Sequence, residues 1–186
     1  MRYLLFHILV LVAIASFVFS LMWTKGIIKD KVLVQLGKYS VRTRNVIDLS
    51  MIISRFLLPL PFVDQLRFRV SILTITIGGI LLCVGIYFIF AGISKIYLKL
   101  MFNQRIDLVT DGVYGVVRHP IYFGDLMWPI GLSITFGAIC SLMLTPIWIA
   151  IYLYTIDIEE KWLVKEYGEK YLRYRKRVKK LIPFIY

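Results

Sequence analysis

Val70-Ser-Ile-Leu-Thr-Ile-Thr-Ile-Gly-Gly-Ile-Leu-Leu-Cys-Val-Gly-Ile-Tyr-Phe-Ile-Phe-Ala-Gly-Ile-Ser94 is a run of 25 residues without one charged side chain. A helix needs about 20 apolar residues to cross the hydrocarbon core of a bilayer, so this run reads as a membrane span. Within it Ser71, Gly78, Gly85 and Gly92 recur at every seventh position. Such a stripe lies on one helix face and lets a second backbone approach closely. Helix packing, not ligand binding, is the reading of that stripe.

The rest of the chain is of the same kind. Of 186 residues, 59% are hydrophobic and only 18% charged, with a mean hydropathy of +0.76. A soluble domain this small cannot bury that much apolar surface. Twelve Phe, 12 Tyr and 4 Trp exclude intrinsic disorder. Upstream, Tyr3–Trp23 predicts a first span. Ala13 and Ala15 resemble a signal-cleavage pair, but apolar residues continue past them to Trp23, which favours a retained helix. Val46–Val63 is a shorter candidate that carries Asp48 and Arg55 and ends near Pro59 and Pro61; it is expected to span or to lie partly in the interface. Downstream of the quoted run, Lys95–Arg118 is a polar connection. Pro120–Cys140 and Ser141–Ile156 follow with no charged loop between them, a pattern that predicts a tight helical hairpin with Asp125 inside its first arm. The fold class is therefore all-α: a polytopic membrane helical bundle of about five spans, with a C-terminal hairpin and an amphipathic cytoplasmic tail. Residues 1–94 form the N-terminal membrane helices and residues 95–186 a C-terminal region of one integral domain.

Charge orients the bundle. Lys plus Arg number 23 against 11 Asp plus Glu, a net charge of +12. The Lys25–Arg44 loop and the tail beyond Ile158 are strongly basic. Five spans with the N-terminus outside place both, and the Lys95–Arg118 connection, on the cytoplasmic side. The run Arg173, Arg175, Lys176, Arg177, Lys179 and Lys180 then faces anionic lipid, and nucleic acid is not expected as a partner. Cys83 and Cys140 lie in apolar runs as packing residues. With only His7 and His119 in the chain, no His-rich metal site is expected.

Chemistry concentrates in Asp107-Leu-Val-Thr-Asp-Gly-Val-Tyr-Gly-Val-Val-Arg-His-Pro-Ile-Tyr-Phe-Gly-Asp125. Thr110-Asp-Gly112 signals a turn, and Pro120 suits the first position of a helix. Arg118 and the exposed N–H groups at that helix start favour an anionic group, with Tyr114 and Tyr122 on either side. An isolated Arg-His pair at a membrane edge is usually a headgroup anchor; the ordered Gly, Tyr, Arg, His, Pro and Tyr argue for a site. A second constellation is acidic: Asp157, Glu159 and Glu160 close the last span, where carboxylates usually face a polar cavity or a partner. After it, Tyr167, Tyr171, Tyr174 and Val178 recur as one face of an amphipathic helix, read mainly as packing.

These motifs, with the final Ile182-Pro183, resemble the isoprenylcysteine carboxyl methyltransferases and phospholipid methyltransferases over the C-terminal half of the chain. The resemblance implies an integral membrane enzyme that transfers a methyl group from S-adenosylmethionine to a lipophilic acceptor, isoprenylcysteine carboxylate-like or phospholipid-like, entering from the bilayer. It implies that Leu108, Val109, Tyr114, His119, Pro120, Tyr122 and Glu159 bind the cofactor, that Arg118 and His119 act in catalysis, and that Asp125 and Thr155 meet the substrate. Thr155 stands where isoprenylcysteine enzymes carry an Arg, and Ile106 where they carry a His. Free isoprenylcysteine is therefore expected to be a poor acceptor. Membrane sterol reductases, which use NADPH, share an Arg-His followed by Tyr. They carry Asn where this chain has Ile121, and an Arg-Asp pair where it has Ile156-Asp157. A non-enzymatic lipid-binding scaffold explains the spans and the charge, but not His119 between two tyrosines.

Overall fold

The computed structural model describes residues 2–24, 49, 52–101, 108–183 and 185. Its elements are α1 (Arg2–Thr24), α2 (residues 52–57), α3 (Ile72–Met101), a 3-10 turn (Gly112–Gly115), α4 (Pro120–Thr135), α5 (Ile139–Met143), α6 (Thr145–Tyr167) and α7 (Glu169–Arg177). The fold is all-helical, without a strand among the described residues. Two helical stretches there are long and apolar enough to cross a membrane, Ile72–Ile96 and Ile139–Tyr167. Only 11% of the most apolar part of the first is buried. Ile72, Leu73, Tyr87 and Phe90 point outward, as side chains of a lipid-facing helix do. Together with the apolar composition, this makes the chain an integral membrane protein. The expected first span coincides with α1. The Lys25–Arg44 loop, Asp48, Ile106 and Asp107 lie outside the described residues. Of the expected second segment, residues 52–57 are helical and the chain turns over residues 58–63.

The predicted stripe sets how α3 meets α4. A Cβ on Gly85 falls 2.5 Å from the backbone nitrogen of Trp128, and one on Gly131 falls 2.5 Å from the carbonyl oxygen of Gly78. Glycine on both helices thus allows backbone to touch backbone, the contact that drives helix association where lipid removes the hydrophobic difference. Gly92 continues the seam against Ile121, just past the start of α4. Ser71 does not join it. Its Oγ accepts from the Thr74 N–H at 3.3 Å and its carbonyl from the Ile75 N–H at 3.0 Å, so it caps α3. Helix α3 also runs through Ser94 to Met101.

Helix α6 packs Trp148, Ile151, Tyr152 and Ile156 on Leu126 of α4, Ala13 of α1 and Leu181 of the tail. Set within this apolar body is one charged cluster. Arg55 of α2 pairs with Asp125 of α4 at 2.8 Å and donates to the Tyr152 hydroxyl at 2.6 Å. Trp128 Nε1 donates to the other Asp125 oxygen at 2.8 Å, and the guanidinium lies 5.4 Å from the Trp128 ring and 5.3 Å from that of Trp148. An ionisable group at this depth is tolerated when paired and hydrogen-bonded. Arg55 and Asp125, each costly alone, answer one another across the bundle. At the end away from the start of α4, Arg67 donates to the carbonyls of Pro59 and Phe136 at 3.0 and 2.8 Å, holding the α2–α3 connection to the α4–α5 turn.

The seam predicts a contrast between neighbouring glycines. A Cβ on Gly79 meets nothing within 4 Å. Gly85→Ala should lower stability by about 1–3 kcal/mol through overpacking, whereas Gly79→Ala should leave it unchanged or raise it slightly. Thermal unfolding in detergent checks both.

Candidate functional site

The site begins with how the Arg118-His119 pair is held. Residues 117–119 lie alongside 179–180: the Arg118 N–H donates to the Lys179 carbonyl at 2.8 Å and the His119 N–H to that of Lys180 at 3.2 Å. Val117 is completely buried. Pro120 then starts α4, where its missing N–H costs nothing. Arg118 and His119 are 8% and 5% exposed, so neither sits among headgroups as an anchor.

Arg118 is committed on every side. Its Nε donates to Glu160 Oε1 at 2.8 Å, with Nη2 at 2.6 Å from the same oxygen. Its Nη1 donates to the carbonyls of Val178 and Arg175 at 2.5 and 3.2 Å. It therefore ties α6 to the C-terminal end of α7, satisfying carbonyls that a helix end leaves open. Among the described residues the carboxylate partner of Arg118 is Glu160, and the pair is buried.

Glu159 and Glu160 are adjacent on α6 and therefore point in different directions. Glu160 is buried against Arg118 and accepts from, or faces, His119 Nε2 at 3.3 Å. Glu159 is 42% exposed at its side chain, with Oε2 3.8 Å from His119 Nδ1. His119 thus stands between a structural carboxylate and a more open one.

Helix α6 ends at Tyr167, and α7 starts at Glu169. The tyrosine stripe read as one helix face is in fact carried by two helices. Gly168, at φ +50° and ψ −131°, breaks them apart in a conformation closed to other residues. The break turns Tyr171 and Tyr174 inward. The Tyr174 hydroxyl donates to the Tyr114 carbonyl at 2.6 Å, latching α7 to the 3-10 turn. Burial, and then the Glu159 charge, push the Tyr114 phenol up to about 12; burial raises Tyr174 as well. Both phenols stay neutral in any physiological medium.

These elements enclose a cavity of about 640 Å³ at the end of α3, within the range of small-molecule sites. Leu108, Val109, Tyr114, Arg118, His119, Pro120, Tyr122 and Glu159, all singled out in the sequence, line it. Asp125 and Thr155 do not. Asp125 is held by Arg55, and Thr155 Oγ1 donates to the Ile151 carbonyl at 3.0 Å, one turn before Glu159. The sequence reading missed Ile96, Trp162, Leu163 and Glu166 as lining residues, and took Tyr167, Tyr171 and Tyr174 for packing. The Gly168 break was the signal that could have turned them inward. Glu159 Oε2 is buried without a hydrogen-bond partner among the described residues, whereas the Tyr171 hydroxyl lies beside Glu160 and Arg118. Glu159 and Tyr171 both belong to the lining of a space large enough for a ligand. An aromatic wall with one open carboxylate suits a ligand that combines a cationic centre with hydroxyl groups. Among the described residues no three His, Cys, Asp or Glu gather as metal ligands.

The profile of the phospholipid methyltransferase family matches residues 73–170, from the start of α3 to the start of α7. The chain belongs to that family. It is 39% identical over 85 residues to a protein-S-isoprenylcysteine O-methyltransferase of Schizosaccharomyces pombe, covering 45% of this chain and 36% of the relative. Similar relatives are protein-S-isoprenylcysteine O-methyltransferase B of Arabidopsis thaliana, 33% identical over 47% of this chain and 45% of the relative, and the protein-S-isoprenylcysteine O-methyltransferase of Homo sapiens, 40% identical over 45% and 31%. The chain thus spans between about a third and under half of the length of these curated relatives. No solved structure matches.

The two adjacent acids should separate in experiment. Removing Glu160 strands a buried guanidinium, and breaking a buried pair costs about 3–5 kcal/mol; Glu160→Ala should therefore unfold near ambient temperature or fail to accumulate. Glu159→Ala should shift stability by no more than about 0.5 kcal/mol. Thermal melts of the two variants in detergent compare them directly.

Proposed function

We propose that the chain is a membrane methyltransferase that binds S-adenosylmethionine in the cavity at the start of α4 and methylates a lipophilic acceptor reaching it from the bilayer. One observation carries the reading. The ordered Tyr114, His119, Pro120, Tyr122 and Glu159 line a single compartment, inside the segment matched by the phospholipid methyltransferase family.

The residues fit the cofactor. The half-exposed Glu159 carboxylate offers an acceptor for ribose hydroxyls, and the Tyr114 and Tyr122 rings offer faces for a cation. Leu108 and Val109 give backbone and apolar contacts. Bound S-adenosylmethionine supplies an electrophilic methyl group on a sulfonium. The protein's part is positioning, which is the larger share of catalysis when two reactants must meet in line. His119, oriented by Glu160, is placed to take a proton from an amine or thiol acceptor; a carboxylate acceptor needs none. Arg118 acts through Glu160 and α7, as a positioning residue.

A bundle of about five spans, with α4 and α6 as the arms of a membrane hairpin and only the tail in the cytoplasm, belongs to the same proposal; its orientation rests on charge placement. The relatives' names make isoprenylcysteine one acceptor class to test and the family's description makes phospholipid the other. Thr155, bonded to its own helix, supplies no cation for a substrate carboxylate, which favours the second.

Calorimetry in detergent should show S-adenosylmethionine binding that is lost in His119→Ala and weakened about tenfold or more in Glu159→Ala, the scale of one charged hydrogen bond. Binding of NADPH instead would favour a reductase, and binding of neither a scaffold. Labelled methyl transfer to extracted lipids, compared with an isoprenylcysteine analogue, for wild type and Thr155→Arg, should show lipids as the better acceptor of the wild type and a gain for the analogue in the variant.

A further inference from the structure

Helix α7 has two unlike faces. Tyr171 and Tyr174, 1% and 3% exposed, point into the cavity wall. On the far side stand Arg173 and Lys176, flanked by Arg177 and Lys179, all four exposed and without an ion-pair partner among the described residues. Their neighbour Arg175 instead turns to Glu160 at 3.8 Å. The helix is nine residues long, too short to hold its shape alone, so its place depends on what touches it. At its C-terminal end it is fastened by Arg118 to the carbonyls of Arg175 and Val178, and at its middle by Tyr174 to the Tyr114 carbonyl. At its N-terminal end only Gly168 separates it from the apolar helix α6, and around that glycine an added Cβ meets nothing within 4 Å.

We propose that α7 is a membrane-docked cover of the cavity: anionic lipid headgroups bind the outer face formed by Arg173, Lys176, Arg177 and Lys179, and that contact holds the inner tyrosines in place. Charge complementarity chooses the occupant. The basic face follows directly on a membrane-length apolar helix, and so stands at the headgroup level of one leaflet. Each basic residue near an anionic leaflet strengthens association about fivefold, and the four act together. Headgroup binding thereby closes the wall made by Tyr171 and Tyr174 and slows loss of whatever the cavity holds. The consequence for the cofactor rests on the methyltransferase reading; the docking itself does not.

The experiment uses the full chain in nanodiscs of phosphatidylcholine alone or with a third of phosphatidylglycerol, and follows hydrogen exchange of the amides of residues 169–178. Exchange should slow severalfold in the anionic discs and recover in high salt. The Arg173→Gln, Lys176→Gln, Arg177→Gln, Lys179→Gln variant should exchange at the wild-type rate in neutral discs and ignore lipid charge. Dissociation of S-adenosylmethionine should slow in parallel in the wild type. Slowed exchange without any S-adenosylmethionine binding supports the docked cover while overturning the cofactor reading. Equal exchange in both lipids, the same slowing in the variant, or slowing by duplex DNA in neutral discs but not by anionic lipid overturns the proposal. If the variant does not fold, the salt series on the wild type decides in the same way.

Discussion

A buried guanidinium holds the site together. Arg118 reaches Glu160 on α6, the last carbonyls of α7 and, through its backbone, the tail at Lys179. Remove that group and three separate pieces of chain lose their common point. The glycine seam works toward the same place from the membrane side. By bringing α3 into backbone contact with α4, it fixes where Pro120 starts α4 and hence where Tyr122 and His119 stand. The cavity is the space left between these two constraints.

A second buried pair repeats the logic deeper in the bundle. Arg55 and Asp125 neutralise one another in an apolar setting, and Tyr152 and Trp128 take up further lone pairs and donors. The Tyr152 ring packs 5.3 Å from that of Tyr122, which in turn lies 5.9 Å from the His119 ring. The charged cluster and the cavity are thus joined by a short stack of aromatic side chains. Asp125, which looked like a substrate contact when α4 was read alone, has its partner on a segment 70 residues away in the chain.

That case shows where sequence reading reached and where it stopped. Hydropathy and glycine spacing made α1, α3 and a close-packing face on α3 legible, because both are local periodicities; that α4 is the helix packed there was not. The ordered Tyr114, His119, Pro120, Tyr122 and Glu159 were legible because the motif carries its own order. What pairs with what was not. Two adjacent carboxylates, Glu159 and Glu160, are equivalent in sequence and differ only in which way the helix turns them. Whether Arg118 serves a ligand or the fold depends on a tail folding back past residue 178. The tyrosine stripe fits one continuous helix perfectly well until Gly168 is given its left-handed conformation.

The compartment between the 3-10 turn, the start of α4, α6 and α7 is proposed to hold a small molecule. An experimental structure of the protein in lipid nanodiscs with S-adenosylhomocysteine tests it most directly. Ligand density is expected against Tyr114, His119 and Glu159, with Arg118 still bonded to Glu160 and to the end of α7. Density elsewhere, or a ligand carboxylate on the Arg118 guanidinium with Glu160 displaced, would contradict it.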